Sequence, residues 1–135
     1  MFTERYLVQH NEVRDLMKSI EVKMAKADFT PDMAAITLEI NKMAGVLRVH
    51  LSGEDQYLYP TLIKGNDQAL SKMAKEYQDE MGGLFETFTE FKNKYNTKAK
   101  LTEHQATFVT EAKAVFMAIR KRMEKEEKGL YLAIC

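Results

Sequence analysis

Six polar residues fall where a helical sequence would bury them: His10, His50, Glu54, Tyr77, Arg122 and Glu126. Imidazole and carboxylate groups are ligands for iron, zinc or manganese. His50 and Glu54 stand four residues apart, which on a helix puts both on one face. Arg122 cannot ligate, because its guanidinium stays protonated and repels a divalent cation. It can instead fork onto carboxylates such as Glu54 or Glu126. Left without partners in a core, such groups would cost ~1–3 kcal/mol each, and more when charged. They must therefore satisfy one another, a metal, water or a ligand.

The elements that position them read as helices. The only prolines are Pro31 and Pro60, glycines are few, and β-branched residues do not cluster. Periodicity predicts helix one from about Thr3 to Ala27. Thr30-Pro31 reads as an N-cap followed by proline in the first turn, opening a second helix that runs to about Lys64 with a break or bend at Pro60. Gly65-Asn66-Asp67 is a turn, with Asp67 as cap of helix three, which ends near Tyr95-Asn96. Thr102 and Gln105 read as a capping box for helix four. Short connections make neighbouring helices antiparallel, so the expected fold is all-α, an up-down-up-down antiparallel four-helix bundle forming one domain over residues 1–135.

In such a bundle the inward seams read Tyr6, His10, Val13, Met17, Ile20 and Met24 on helix one, and Met33, Ile36, Ile40, Met43, Leu47, His50 and Glu54 on helix two. Helix three contributes Leu70, Ala74, Tyr77, Met81, Leu84, Phe88 and Phe91, and helix four Phe108, Ala112, Val115, Ile119, Arg122 and Glu126. Counting from each turn at ~1.5 Å per residue brings the six polar residues into one layer. Glu80 flanks the helix-three seam and is expected to join them. Gly82-Gly83, in mid-helix, reads as a point of close helix approach, with a local kink as the alternative. A weak internal similarity aligns Leu47–Tyr59 with Ile119–Tyr131, matching Glu54 to Glu126 and His50 to Arg122.

The bulk numbers narrow the function classes. Twenty Lys and Arg balance twenty Asp and Glu with no basic stripe, which gives no electrostatic case for nucleic acid or an anionic membrane. No apolar run is long enough to span a bilayer. The single cysteine, Cys135, cannot form an internal disulfide, and Met1-Phe2-Thr3-Glu4-Arg5 lacks the apolar core of a signal peptide, so a cytoplasmic location is expected. No nucleophile pair, phosphate loop or dinucleotide motif appears.

Two segments carry a family resemblance. "QHNEVRDLM" contains His10, and "HLSGEDQYLYP" contains His50, Glu54 and a Leu58-Tyr59-Pro60 ending. Across nearly the whole chain the sequence resembles the hemerythrin-like, or HHE cation-binding, domains. The resemblance implies a non-haem di-iron centre with Glu54 as a bridging carboxylate, in proteins that bind or sense iron or oxygen. The departures are on the second half of the site. Helix three offers Tyr77, Gln78, Glu80 and Met81 where the family has histidine. Arg122 stands at the helix-four histidine position, while Glu126 is kept. His104 lies at the start of helix four, away from the layer.

A carboxylate-metal enzyme would need more ligands than the chain supplies, and no Glu-x-x-His repeat appears, so two readings rank ahead of it. In one, the chain is a non-enzymatic binding or sensing module whose degenerate site holds no metal, and a buried network of His10, His50, Glu54, Tyr77, Glu80, Arg122 and Glu126 replaces it. In the other, His10, His50, Glu54 and Glu126 hold a metal, iron by resemblance, and the protein binds oxygen. A protein partner is compatible with the first reading and is not identified by the sequence.

Overall fold

The computed structural model describes residues 2–134, and Cys135 lies outside them. Four rods form the bundle. The first is α1 (Phe2–Met24). A 3-10 turn at Thr30–Asp32 leads into the second, made of α2 (Met33–Gly53), a π-helical turn at Glu54–Leu58 and α3 (Tyr59–Ile63). The third is α4 (Gln68–Met81) followed by α5 (Leu84–Tyr95). A short α6 (Lys98–Glu103) leads to the fourth, made of α7 (Gln105–Lys125), a second π-helical turn at Glu126–Leu130 and α8 (Tyr131–Ile134). α1 packs on α2, α2 on α5, α5 on α7 and α7 on α1, which closes the ring. No strand occurs among the described residues.

Two apolar clusters fill the interior. The larger runs from Val13, Met17 and Ile20 through Ile36, Ile40 and Met43 to Phe88, Phe91, Phe108 and Phe116. The smaller holds Leu58, Tyr59, Ala74, Leu130 and Tyr131. Where the two adjoin on the second and fourth rods come His50, Glu54, Arg122 and Glu126, all buried. The polar layer is thus flanked by hydrocarbon, where a charge is costly unless paired and a pair is strong once formed.

Several boundaries differ from expectation for local reasons. Asp67 does cap α4, accepting from the Leu70 N–H at 3.0 Å. Thr30 is not the cap of α2. The Asp28 carboxylate instead accepts from the Thr30 N–H at 3.0 Å, and α2 begins only at Met33. The Thr102–Gln105 capping box does not form, because Thr97 caps α6 from the Lys100 N–H while the Thr102 hydroxyl bonds back to the Lys98 carbonyl. The second rod does run on past Pro60, and its irregularity lies just before the proline. The π-helical turn before it widens the helix, and helical conformation continues to Ile63.

Gly82-Gly83 breaks the third rod outright, so the expectation of close packing there is corrected. Gly82 is extended, with φ −62° and ψ 153°, and Gly83 is left-handed at φ +83°. A left-handed residue favours glycine because it has no Cβ to clash. At Gly82 a Cβ would lie 2.6 Å from the Gln78 carbonyl oxygen.

Candidate metal centre

His10 on α1 and His50 on α2 face each other through their Nε2 atoms at 2.9 Å. Their Nδ1 atoms point away from the centre. His10 Nδ1 lies 2.6 Å from Glu127 Oε2, and His50 Nδ1 lies 2.7 Å from Gln9 Oε1. Both partners are acceptors, so each Nδ1 takes the hydrogen, and a neutral imidazole so oriented presents a bare lone pair at Nε2. Burial, with the neighbouring His10, pushes the His50 pKa down to about 3, which keeps it a neutral base.

Two carboxylates aim at the same point. Glu54 Oε1 is 2.8 Å from His50 Nε2, and Glu126 Oε1 is 3.3 Å from His10 Nε2. One ligand atom from each of His10, His50, Glu54 and Glu126 falls within 4.8 Å of the other three. Opposite ligands of a zinc or iron ion stand ~4 Å apart, twice a bond of ~2.1 Å. Four acceptors meeting with no hydrogen between the two imidazoles repel one another unless a cation or a proton joins them.

The outer carboxylate oxygens are held by two crossed tyrosines. Tyr59 donates to Glu126 Oε2 at 2.6 Å, and Tyr131 donates to Glu54 Oε2 at 2.5 Å. Each π-helical turn begins at a glutamate and is followed by a tyrosine five residues on, and each tyrosine serves the other turn's glutamate. On a regular α-helix, residues five apart diverge by ~140° around the axis. The wider π turn brings the tyrosine back towards the core. The seam count, made on α-helical spacing, therefore missed Tyr59 and Tyr131. The internal similarity of Leu47–Tyr59 with Ile119–Tyr131 already paired them.

Arg122 occupies the other side of the carboxylates. Its Nε lies 3.3 Å from Glu126 Oε2, and its Nη2 lies 3.4 Å from Glu54 Oε1 and 2.9 Å from Asp55 Oδ1. Nη1 donates to the Met81 carbonyl at 3.4 Å. The glycine break after Met81 interrupts the helix that would otherwise use that carbonyl and leaves it to Arg122. Burial opposes the charge on Arg122, but Glu126, Glu54 and Asp55 outweigh it and raise its pKa.

The carboxylates divide their roles. Burial and the neighbouring Glu126 raise the Glu54 pKa well above its ordinary 4.5. Burial also opposes ionisation of Glu126, but the adjacent His10 ring and Arg122 override it and bring Glu126 to about 2. With Glu54 ionised, as a bound cation would require, Glu54, Asp55, Glu126 and Glu127 outnumber Arg122 and Arg14 by two negative charges. One divalent cation balances that excess.

The donor set thus fits a single ion with nitrogen and oxygen ligands, such as iron, zinc or manganese. Arg122 supplies positive charge beside it. His10, His50, Glu54, Arg122 and Glu126 meet as expected. Tyr77 and Glu80 do not join them. Tyr77 is half-buried, donating to the Lys125 carbonyl at 3.2 Å beside the second π turn, where a side chain at Gly129 would collide with its hydroxyl. Glu80 is exposed and pairs with Lys125 at 2.6 Å and Lys121 at 3.4 Å. Glu80 is expected to join from the flank of the seam, but on the last turn of α4 that flank faces solvent cations. His104 lies apart, edge-on to Tyr95 at 6.3 Å.

Residues 1–134 match the hemerythrin HHE cation-binding domain model. The chain belongs to the hemerythrin HHE family. No curated protein and no solved structure shows significant similarity to it. Hemerythrin-like domains bind metal ions or oxygen, and His10, His50, Glu54 and Glu126 are the cluster in this hemerythrin-family chain that can hold a metal. No helix among the described residues is long and apolar enough to cross a membrane.

Proposed function

We propose that this hemerythrin-family chain is a non-enzymatic binding or sensing module that holds one divalent metal ion, iron by family, through His10, His50, Glu54 and Glu126. One observation carries the reading. Both imidazoles spend their Nδ1 hydrogens on Glu127 and Gln9, so both Nε2 lone pairs converge with two carboxylate oxygens. Iron held there would supply one-electron redox chemistry and affinity for dioxygen. The protein's own part is to orient the ligands from Gln9 and Glu127, to fix the outer oxygens with Tyr59 and Tyr131, and to keep Arg122 against the far side. The guanidinium, forked onto both carboxylates, repels a second cation, which favours one ion over two.

A metal-free network is the second reading. It is favoured by the fork of Arg122 onto both Glu54 and Glu126 and by the partners of the cluster atoms, since no buried side-chain oxygen or nitrogen of the centre lacks a hydrogen-bond partner. One proton between His10 and His50 then replaces the ion. Metal content of protein expressed with iron and purified without chelator separates the two. Near one ion per chain, lost in His50→Ala and Glu54→Ala, supports the first reading. Two ions per chain, or none in a folded protein indifferent to chelator, overturns it, and the latter supports the second.

A further inference from the structure

The α1–α2 face carries an apolar groove that the bundle leaves uncovered. Arg5, Val8 and Glu12 on one side and Gly45 and Val49 on the other border a depression of about 480 Å³. A second, of about 430 Å³, continues it past Gly53 to Tyr57. Val8, Val49 and Tyr57 are 57%, 64% and 69% exposed. Gly45 sits in mid-helix, where glycine costs ~1 kcal/mol relative to alanine. A Cβ there would meet nothing within 4 Å, and one at Gly53 would meet only the Tyr6 ring at 4.0 Å. Nothing inside the chain requires Gly45. Gly45, Val49 and Gly53 follow at four-residue steps on one helix face, leaving a flat strip on which another helix can lie close.

Charge decides what covers the strip. Arg5 and Glu12 flank Val8 on the same face of α1, about two turns apart. Neither forms an ion pair among the described residues. Gln9 and His50 are hydrogen-bonded, so the Val8–Gln9 level of α1 meets the Val49 level of α2. A two-fold axis crossing the groove at that level lays α1 antiparallel on its copy. Arg5 of each copy then meets Glu12 of the other, and Gly45 meets Gly53. The face is complementary to itself in both charge and shape, as a two-fold interface requires.

We propose that this face is the contact of a symmetric homodimer. The pairing stands whether or not the centre holds metal, and it touches the centre in one respect. Gln9, which orients His50, lies at the axis, and Tyr6, edge-on to His50 at 5.4 Å, borders the second depression. Dimerisation closes that side of the centre to water.

Sedimentation velocity of the full chain over a concentration series, with and without chelator, tests it. The parent is expected to dimerise. Arg5→Glu and Glu12→Arg alone should each weaken the dimer ~10-fold or more, since each sets like charges opposite one another twice. The double variant, with the charges exchanged, should regain it. Circular dichroism checks that these exposed substitutions leave the helices intact, and Gly45→Leu provides a second, uncharged variant expected to dissociate the dimer. A monomeric parent overturns the proposal. So does a dimer insensitive to the single reversals, or one that the exchange fails to restore.

Discussion

Tyr131 donates its hydroxyl to Glu54 Oε2 at 2.5 Å across 77 residues of sequence. Tyr59 returns the arrangement to Glu126 at 2.6 Å. Each bond leaves one carboxylate oxygen turned towards the histidines. Tyr131→Phe should leave a buried carboxylate oxygen short of its donor and destabilise the protein by ~1–3 kcal/mol. Tyr59→Phe should cost a similar amount. Urea unfolding of chelator-treated protein checks both, and a large difference between them would show that the two halves are not equivalent.

Arg122 is buried against two carboxylates, so truncating it removes a charge the core depends on. Arg122→Ala should lower the stability of chelator-treated protein by ~3–5 kcal/mol. Arg122→His matches the position to His50 in the internal similarity and removes the fixed charge. Its metal content per chain should rise above that of the parent. An unchanged content would mean that the charge of Arg122 is not what limits the centre to one ion.

Glu127 and Gln9 touch the imidazoles from outside the cluster and set which nitrogen faces in. Glu127→Ala and Gln9→Leu should weaken metal binding ~10–100-fold while leaving all four ligands in place. Competition with a chelator of known affinity measures this. Equal affinity in parent and variants would show that the tautomers are set by something other than these two contacts.

The two buried carboxylates make opposite contributions with pH in metal-free protein. Glu126, at about 2 in the fold against an ordinary 4.5, stabilises fully above about 4.5, and that stability is lost as pH falls towards 2. Glu54 is raised above 4.5, so its contribution is present below about 4.5 and is lost as pH rises through its elevated value. Stability of chelator-treated protein should therefore decline on both sides of a mildly acidic optimum. Glu54→Gln should remove the decline on the neutral side. Thermal unfolding across pH reads this out, and a neutral-side decline that persists in Glu54→Gln would assign it to another group.

Much of this was open to reading in the chain. The seams of His10, His50, Glu54, Arg122 and Glu126 follow from three- and four-residue spacing, which α-helices convert directly into a shared face. The family resemblance of "QHNEVRDLM" and "HLSGEDQYLYP" agrees with the match over residues 1–134. Spacing failed where the helix is not regular. Tyr59 and Tyr131 reach the core through π turns, and the third rod breaks at Gly82-Gly83 where the pattern ran on as one helix.

The helical rods, their antiparallel order and the residue types in the polar layer are legible in the chain alone, because periodicity and short connections act locally and repeat. Which atoms meet is set by the folded arrangement. Glu127 and Gln9 turn the histidine hydrogens outward, the tyrosines cross between rods, and Arg122 reaches the carbonyl that the Gly82-Gly83 break leaves at Met81. Those contacts join residues far apart in the chain through a few ångströms of geometry, and a one-residue widening of a helix is enough to change them.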